Sequence, residues 1–183
     1  MDKKDLIETV IAKERKYDGG IINIEKWQVR LPNGEIASRD VVLHIGAAAV
    51  VPMDESGRVA MVRQFRCPIG RVTLELPAGK LDSQTEDPLL CAKRELEEET
   101  GLHAANWQKL IDSQTTPAFC TEKISIYLAT GLSQHESHTD EDEFISAEFI
   151  PLEELLTMVR QGTLVDGKTV TGLLLAKDYL SNN

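Results

Sequence analysis

The chain has 183 residues, 42% of them hydrophobic, and a formal net charge of −10; at about 100–200 residues per domain this is one domain with enough apolar content for a substantial core. Such acidity argues against a nucleic-acid scaffold, which presents basic faces to phosphate, but leaves room for a small phosphate ester, because a bound metal reverses the local field. No apolar run is long enough for a signal peptide or approaches the ~20 residues of a membrane span, and Cys67, Cys91 and Cys120 are odd in number and lack metal spacing, so a reduced, cytoplasmic protein without a membrane partner is expected.

Taken in chain order, Thr9 to Tyr17 and Ile21 to Leu31 alternate as strands joined through Asp18-Gly19-Gly20, a hairpin signal. Val41 to Leu43, Ala47 to Pro52 and Arg58 to Arg63 read as further strands, with Asp54 to Gly57 as the turn between the last two. A helix is predicted over Pro88 to Thr100: Asp87 suits the N-cap, Pro88 the first helical position, and Gly101 the left-handed stop. Trp107 to Asp112, Ile124 to Thr130 and Phe144 to Ile150 continue as strands. Two amphipathic helices follow, Leu152 to Arg160 after Pro151 and Thr169 to Leu180 after the Asp166-Gly167 turn. Strands in runs with few interposed helices indicate α+β rather than a parallel βαβ array.

The central helix carries the chemistry. At about 100° per residue, Glu95, Glu98 and Glu99 fall within an arc of about 100°, beside an apolar stripe of Leu89, Ala92 and Leu96. Clustered carboxylates raise one another's pKa, and staying ionised at neutral pH requires a compensating cation. Oxygen-only ligands suit Mg²⁺ or Mn²⁺. The plainer reading of RELEEE alone is a solvated acidic helix face. His44, His103, His135 and His138 show no ligand spacing and read as structural or solvated.

Gly79, Glu86, Arg94, Glu95, Leu96, Glu98, Glu99, Gly101 and Leu102 resemble the Nudix box, with six residues rather than the usual five between Gly79 and Glu86. The segments RLPNGEIASRDVVLHIGAAAVVP, VRQFRCPIGRVTLELPAGK and TTPAFCTEKISIYLATGL look like the ADP-ribose pyrophosphatase branch of that superfamily. The resemblance implies a Nudix-type α/β/α sandwich over residues 41–183, with residues 1–40 as an N-terminal antiparallel β extension of the same unit. In similar enzymes such an extension exchanges across a homodimer; the alternative is a hairpin packed on its own subunit.

The resemblance also implies an activity, the Mg²⁺-dependent hydrolysis of the diphosphate bond of ADP-ribose to AMP and ribose 5-phosphate. The alternatives are another nucleoside diphosphate sugar, or a regulator that binds such a ligand without hydrolysing it. Glu95, Glu98, Glu99 and the Ala78 carbonyl would hold the metal, and Arg94 would orient Glu86 or Glu98 by a charge-assisted hydrogen bond. The tract SHTDEDEFIS would supply Glu141 as base and Glu143 as a further metal ligand, with the two assignments exchangeable and a solvated acidic loop as the alternative. Arg66 matches the diphosphate-binding position of the similar enzymes, and Arg39 is either a second such cation or a surface arginine. Trp27 would stack on adenine or else sit half-buried in a sheet. Glu122 resembles the position that faces the terminal ribose.

Overall fold

A computed structural model describes residues 3–134 and 145–182. Among the described residues, ten strands and three α-helices follow in order: β1 (Thr9–Asp18), β2 (Asn23–Arg30), β3 (Ile36–Leu43), β4 (Ala47–Pro52), β5 (Arg58–Arg66), β6 (Arg71–Glu75), β7 (Ala78–Lys80), α1 (Pro88–Thr100), β8 (Leu102–Gln114), β9 (Lys123–Gln134), β10 (Ser146–Pro151), α2 (Leu152–Arg160) and α3 (Gly167–Asn182). They form two compact units, Met1–Ile45 with Gln114–Lys123, and Gly46–Ser113 with Ile124–Asn183.

The first unit is an antiparallel meander, β1-β2-β3. Its third strand begins at Ile36, earlier than the apolar run at Val41 indicates. The turn after β2, in which the Gly34 N–H donates to the Leu31 carbonyl at 2.9 Å, folds the polar stretch from Ala37 to Asp40 back along β2. Pairing, not hydrophobicity, makes that stretch a strand. This unit runs to Ile45 and takes in Gln114–Lys123, because the Val42 N–H donates to the Phe119 carbonyl at 2.7 Å and the Thr121 N–H to the Val42 carbonyl at 2.9 Å.

The second unit holds a mixed four-stranded sheet, β7-β4-β9-β8, and an antiparallel one, β10-β5-β6. β4 lies antiparallel to β7 and parallel to β9. Side chains along a strand point alternately to opposite faces. Ala49 and Val51 join a core with Ile126, Leu128, Leu173 and Ala176, on the side where α3 packs on β4. Ala48 and Val50, also fully buried, face the other way, toward α1. Burial on both faces explains why AAAVVP reads as a continuous apolar run rather than an alternation. Gly172 lets α3 approach: a Cβ there would lie 2.7 Å from Leu76 and 3.1 Å from Val51. The result is the α/β/α sandwich, with α1 on one side and α3, joined by α2, on the other.

α1 matches its predicted span. The Asp87 carboxylate accepts the Leu89 N–H at 2.9 Å, Pro88 opens the helix, and Gly101, at φ 67°, donates its N–H to the Glu97 carbonyl. β6 and β7 have no sequence counterpart, being short, flanked by Gly and Pro, and defined by their partners β5 and β4.

Candidate active site

α1 buries more than its apolar stripe. Glu95 and Glu99 are 9% and 6% exposed, so two of the three carboxylates lie inside the α1–β7 contact rather than along its edge. Gly79 in β7 makes this possible: a Cβ there would stand 2.1 Å from the Glu95 carboxyl carbon. Beside it, the Ala78 N–H donates to Glu99 Oε2 at 3.1 Å. The short strand β7 is thus a cradle for both buried carboxylates.

Arg94 supplies positive charge to the cluster. Its Nη1 donates to Glu95 Oε1 at 2.6 Å and to Glu98 Oε2 at 3.2 Å. Its Nη2 donates to the Lys80 carbonyl at 3.3 Å and stands 3.6 Å from Asp82 and 3.7 Å from Glu86. Burial opposes the guanidinium's charge, but the carboxylate of Glu95, and after it the charges of Cys91, Asp82 and Glu98, raise its pKa. Arg94 Nε is buried with no hydrogen-bond partner among the described residues, a donor left short for the sake of the charge contacts. In the loop with the additional residue, Glu86 Oε2 accepts the Asp82 N–H at 2.5 Å, so this carboxylate closes its own turn.

Among the described residues, no three His, Cys, Asp or Glu side chains are gathered closely enough to hold a metal ion. The donor chemistry nevertheless fits a hard divalent cation. It is all oxygen, two carboxylates are buried, and buried carboxylates require a positive partner. Arg94 fills that need for Glu95 and also pairs with the more exposed Glu98, so a metal would share or replace the Nη1 contacts.

Cys91, on the same helix, contacts the carbonyls of Gly79 and Lys80 at 3.7 and 3.6 Å. Burial, and next the charge of Glu95, push its thiol to about 12. A thiol so held is inert.

A second charged group in the same unit includes Arg66. Its Nε and Nη2 donate to the two oxygens of Glu75 at 2.8 and 2.7 Å. Glu75 is 2% exposed and also accepts the Thr73 hydroxyl at 2.5 Å and the Lys168 ammonium. The hydrogen bonds that Arg66 donates to Glu75 raise the Arg66 pKa against the pull of burial, with further support from the charges of Asp166 and Glu99. Arg66 therefore lies within electrostatic reach of Glu99 in α1. Glu75 and Lys168 escape a reading of the sequence, because the two partners stand 93 positions apart and neither belongs to a motif.

With this geometry in view, a family model described as the NUDIX domain matches residues 43–171. The chain belongs to the Nudix family. Among curated Nudix relatives, an ADP-ribose pyrophosphatase of Mycobacterium tuberculosis is 42% identical over 167 residues, covering 90% of this chain and 80% of that protein. One of Bacillus subtilis is 40% identical over 168 residues, covering 91% and 90%. A solved structure described as an ADP compounds hydrolase superposes with a TM-score of 0.85 at 20% identity, over 96% of this chain and 95% of that one. That last likeness concerns the fold.

Three of the remaining residues singled out in this Nudix chain belong to the first unit. In the first unit, Trp27 donates its Nε1–H to Glu25 at 2.7 Å and has the Lys13 ammonium 4.2 Å from its ring centroid. Arg39 is engaged by Glu8 through Nε, at 3.1 Å, and through Nη2. Glu122 accepts the Thr115 hydroxyl at 2.8 Å and stands 3.6 Å from His44 Nδ1. Glu141 and Glu143 lie outside the described residues.

Proposed function

We propose that this Nudix hydrolase cleaves the diphosphate of ADP-ribose to AMP and ribose 5-phosphate. The single observation that carries the reading is the cradle: Gly79 receives the Glu95 carboxylate and Ala78 the Glu99 carboxylate, in a chain about 40% identical to two ADP-ribose pyrophosphatases. Glu95, Glu98, Glu99 and the Ala78 carbonyl would hold Mg²⁺, or Mn²⁺ in its place. A metal bound there neutralises diphosphate charge and polarises the attacking water.

Arg94 orients Glu95 and Glu98 through its Nη1. Arg66, its guanidinium held in one orientation by Glu75, would bind the diphosphate. Glu141 would take the proton from water and Glu143 complete the metal ligands. Trp27 would stack on adenine, Glu122 would face the terminal ribose, and Arg39 would act as a second anion contact.

The protein would work in the cytoplasm as a homodimer, with residues 1–40 as the exchanging arm and 41–183 as the hydrolase. Support for the arm comes from the apolar side chains the first unit leaves exposed, among them Val10, Ile11, Ile21 and Ile36. Among the described residues no helix is long and apolar enough to cross a membrane.

The deciding experiment is a panel of nucleoside diphosphate sugars, assayed with Mg²⁺ for release of phosphate monoesters. ADP-ribose should be turned over with the highest kcat/KM and yield AMP. A higher kcat/KM on a guanosine or pyrimidine sugar would reassign the substrate, and binding without turnover on every member would make the protein a ligand-binding regulator.

A further inference from the structure

The Glu75 carboxylate is fully subscribed. It accepts Arg66 Nε at 2.8 Å, Arg66 Nη2 at 2.7 Å, the Thr73 hydroxyl at 2.5 Å and the Lys168 ammonium, about as many donors as a carboxylate has lone-pair sites. An arginine paired bidentately with a lone carboxylate offers an approaching anion little net charge, because the carboxylate repels what the guanidinium attracts. Here Lys168 supplies a second cation to the same oxygen that Arg66 Nη2 uses. The other partner of Lys168 is Asp166, at 3.1 Å. It caps α3, accepting the Thr169 N–H at 3.0 Å and the Thr169 hydroxyl at 2.6 Å, where the positive end of the helix favours an anion.

Exposure gives the group a direction. The side chain of Glu75 is 3% exposed and that of Lys168 11%, whereas that of Arg66 is 40% exposed. Arg66 is thus the outward-facing end of a buried network, with Nε and Nη2 committed to Glu75. Its Nη1 edge carries no hydrogen bond among the described residues.

We propose that Lys168 is a positioning residue for the substrate diphosphate: it neutralises and fixes Glu75, and Glu75 in turn presents Arg66 as an oriented clamp. This rests on the reading above that Arg66 contacts the diphosphate. Lys168 itself touches no substrate atom. Its influence travels through one carboxylate, from the first turn of α3 to the end of β5.

The test is steady-state kinetics on ADP-ribose with Mg²⁺ for Lys168→Met, Lys168→Arg, Arg66→Ala and the Arg66→Ala/Lys168→Met double variant. Lys168→Met should raise KM about tenfold with kcat within about twofold, the size of coupling found inside one charge network. Lys168→Arg, which keeps the charge, should recover most of that loss. In the Arg66→Ala background, Lys168→Met should add nothing. A wild-type KM for Lys168→Met, or the same increase whether or not Arg66 is present, overturns the positioning role while leaving the Arg66 clamp standing. A wild-type KM for Arg66→Ala removes the clamp, and the positioning role with it. Should Lys168→Met fail to fold, Lys168→Gln, which keeps a donor and loses the charge, takes its place in the same comparison.

Discussion

Gly79 and Glu95 meet with no room for a side chain between them: a Cβ on the glycine would lie 2.1 Å from both the carboxyl carbon and Oε1 of Glu95. No rotation of an added methyl relieves that overlap, so Gly79→Ala must drive the carboxylate out of its pocket and away from Arg94. The expected result is a loss of about ten- to a hundredfold in kcat/KM, the scale on which residues supporting a metal ligand act. Parallel thermal melts should show the variant folded. Full activity would mean that the position of Glu95 does not matter to the reaction.

Glu99 and Glu98 differ in setting, and their variants separate charge from shape. Glu99 accepts the Ala78 N–H, and Gln keeps an acceptor there, so Glu99→Gln should fold. Glu98, paired with Arg94 and 39% exposed in its side chain, tolerates the change still more easily. Each should lower kcat by roughly two to three orders of magnitude, as expected when charge stabilisation in the transition state is removed. Near-wild-type turnover in both would sink their assignment as metal ligands.

Metal binding can be read without activity. An ion that binds only the folded state at a hundred times its Kd stabilises by about 2.7 kcal/mol, which for a chain of this size is roughly 5–10 °C in Tm. Mg²⁺ should raise the Tm of the chelator-treated wild type by that amount, and Glu99→Gln should abolish the shift. An equal shift in both proteins would place the ion elsewhere.

α1 is legible in the sequence because everything that defines it is local: Asp87 caps it, Gly101 ends it, and a 3.6-residue period sets its faces. The burial of Glu95 and Glu99 was not legible, since it depends on β7, a three-residue strand that exists through its pairing with β4. Arg66 stands out by its segment, yet nothing local joins it to Lys168. Charged partners far apart in the chain leave no periodic trace, and only the fold brings them to one carboxylate.

The same carboxylate predicts an acid response. Burial opposes the charge on Glu75, but the hydrogen bonds from Arg66, then the charge and hydrogen bond of Lys168 and the Thr73 hydroxyl, hold its pKa at about 2, below the ordinary 4.5. A carboxyl depressed in the folded state adds stability that is complete above the unfolded pKa and is lost as pH falls toward the folded one. At about 1.4 kcal/mol per pH unit this one group contributes roughly 3 kcal/mol, lost between about pH 4.5 and 2. Denaturant melts across that window should show Glu75→Gln less stable than wild type at pH 7 and flatter in its acid dependence. Parallel curves for the two proteins would refute the role given to Glu75.

Under the proposed reading, substrate choice would turn on the indole of Trp27. Arg66 would clamp a diphosphate common to every nucleoside diphosphate sugar, so Arg66→Ala should weaken catalysis on all of them about equally. Trp27 is half-buried, its Nε1 is held by Glu25 at 2.7 Å, and the Lys13 ammonium lies 4.2 Å from the ring centroid. Those contacts hold the indole by its Nε1 edge and set a cation over one of its faces. Stacking of a base on an aromatic side chain is worth on the order of 1–3 kcal/mol, so Trp27→Ala should cost roughly ten- to a hundredfold in kcat/KM on ADP-ribose and clearly less on a pyrimidine counterpart. Lys13→Ala, which clears the ring without removing it, should leave that discrimination in place. Measuring the three variants on both substrates decides between recognition and packing. An equal loss on the two substrates from Trp27→Ala, or no loss on either, would make the indole a packing element of the first sheet, with adenine selected elsewhere.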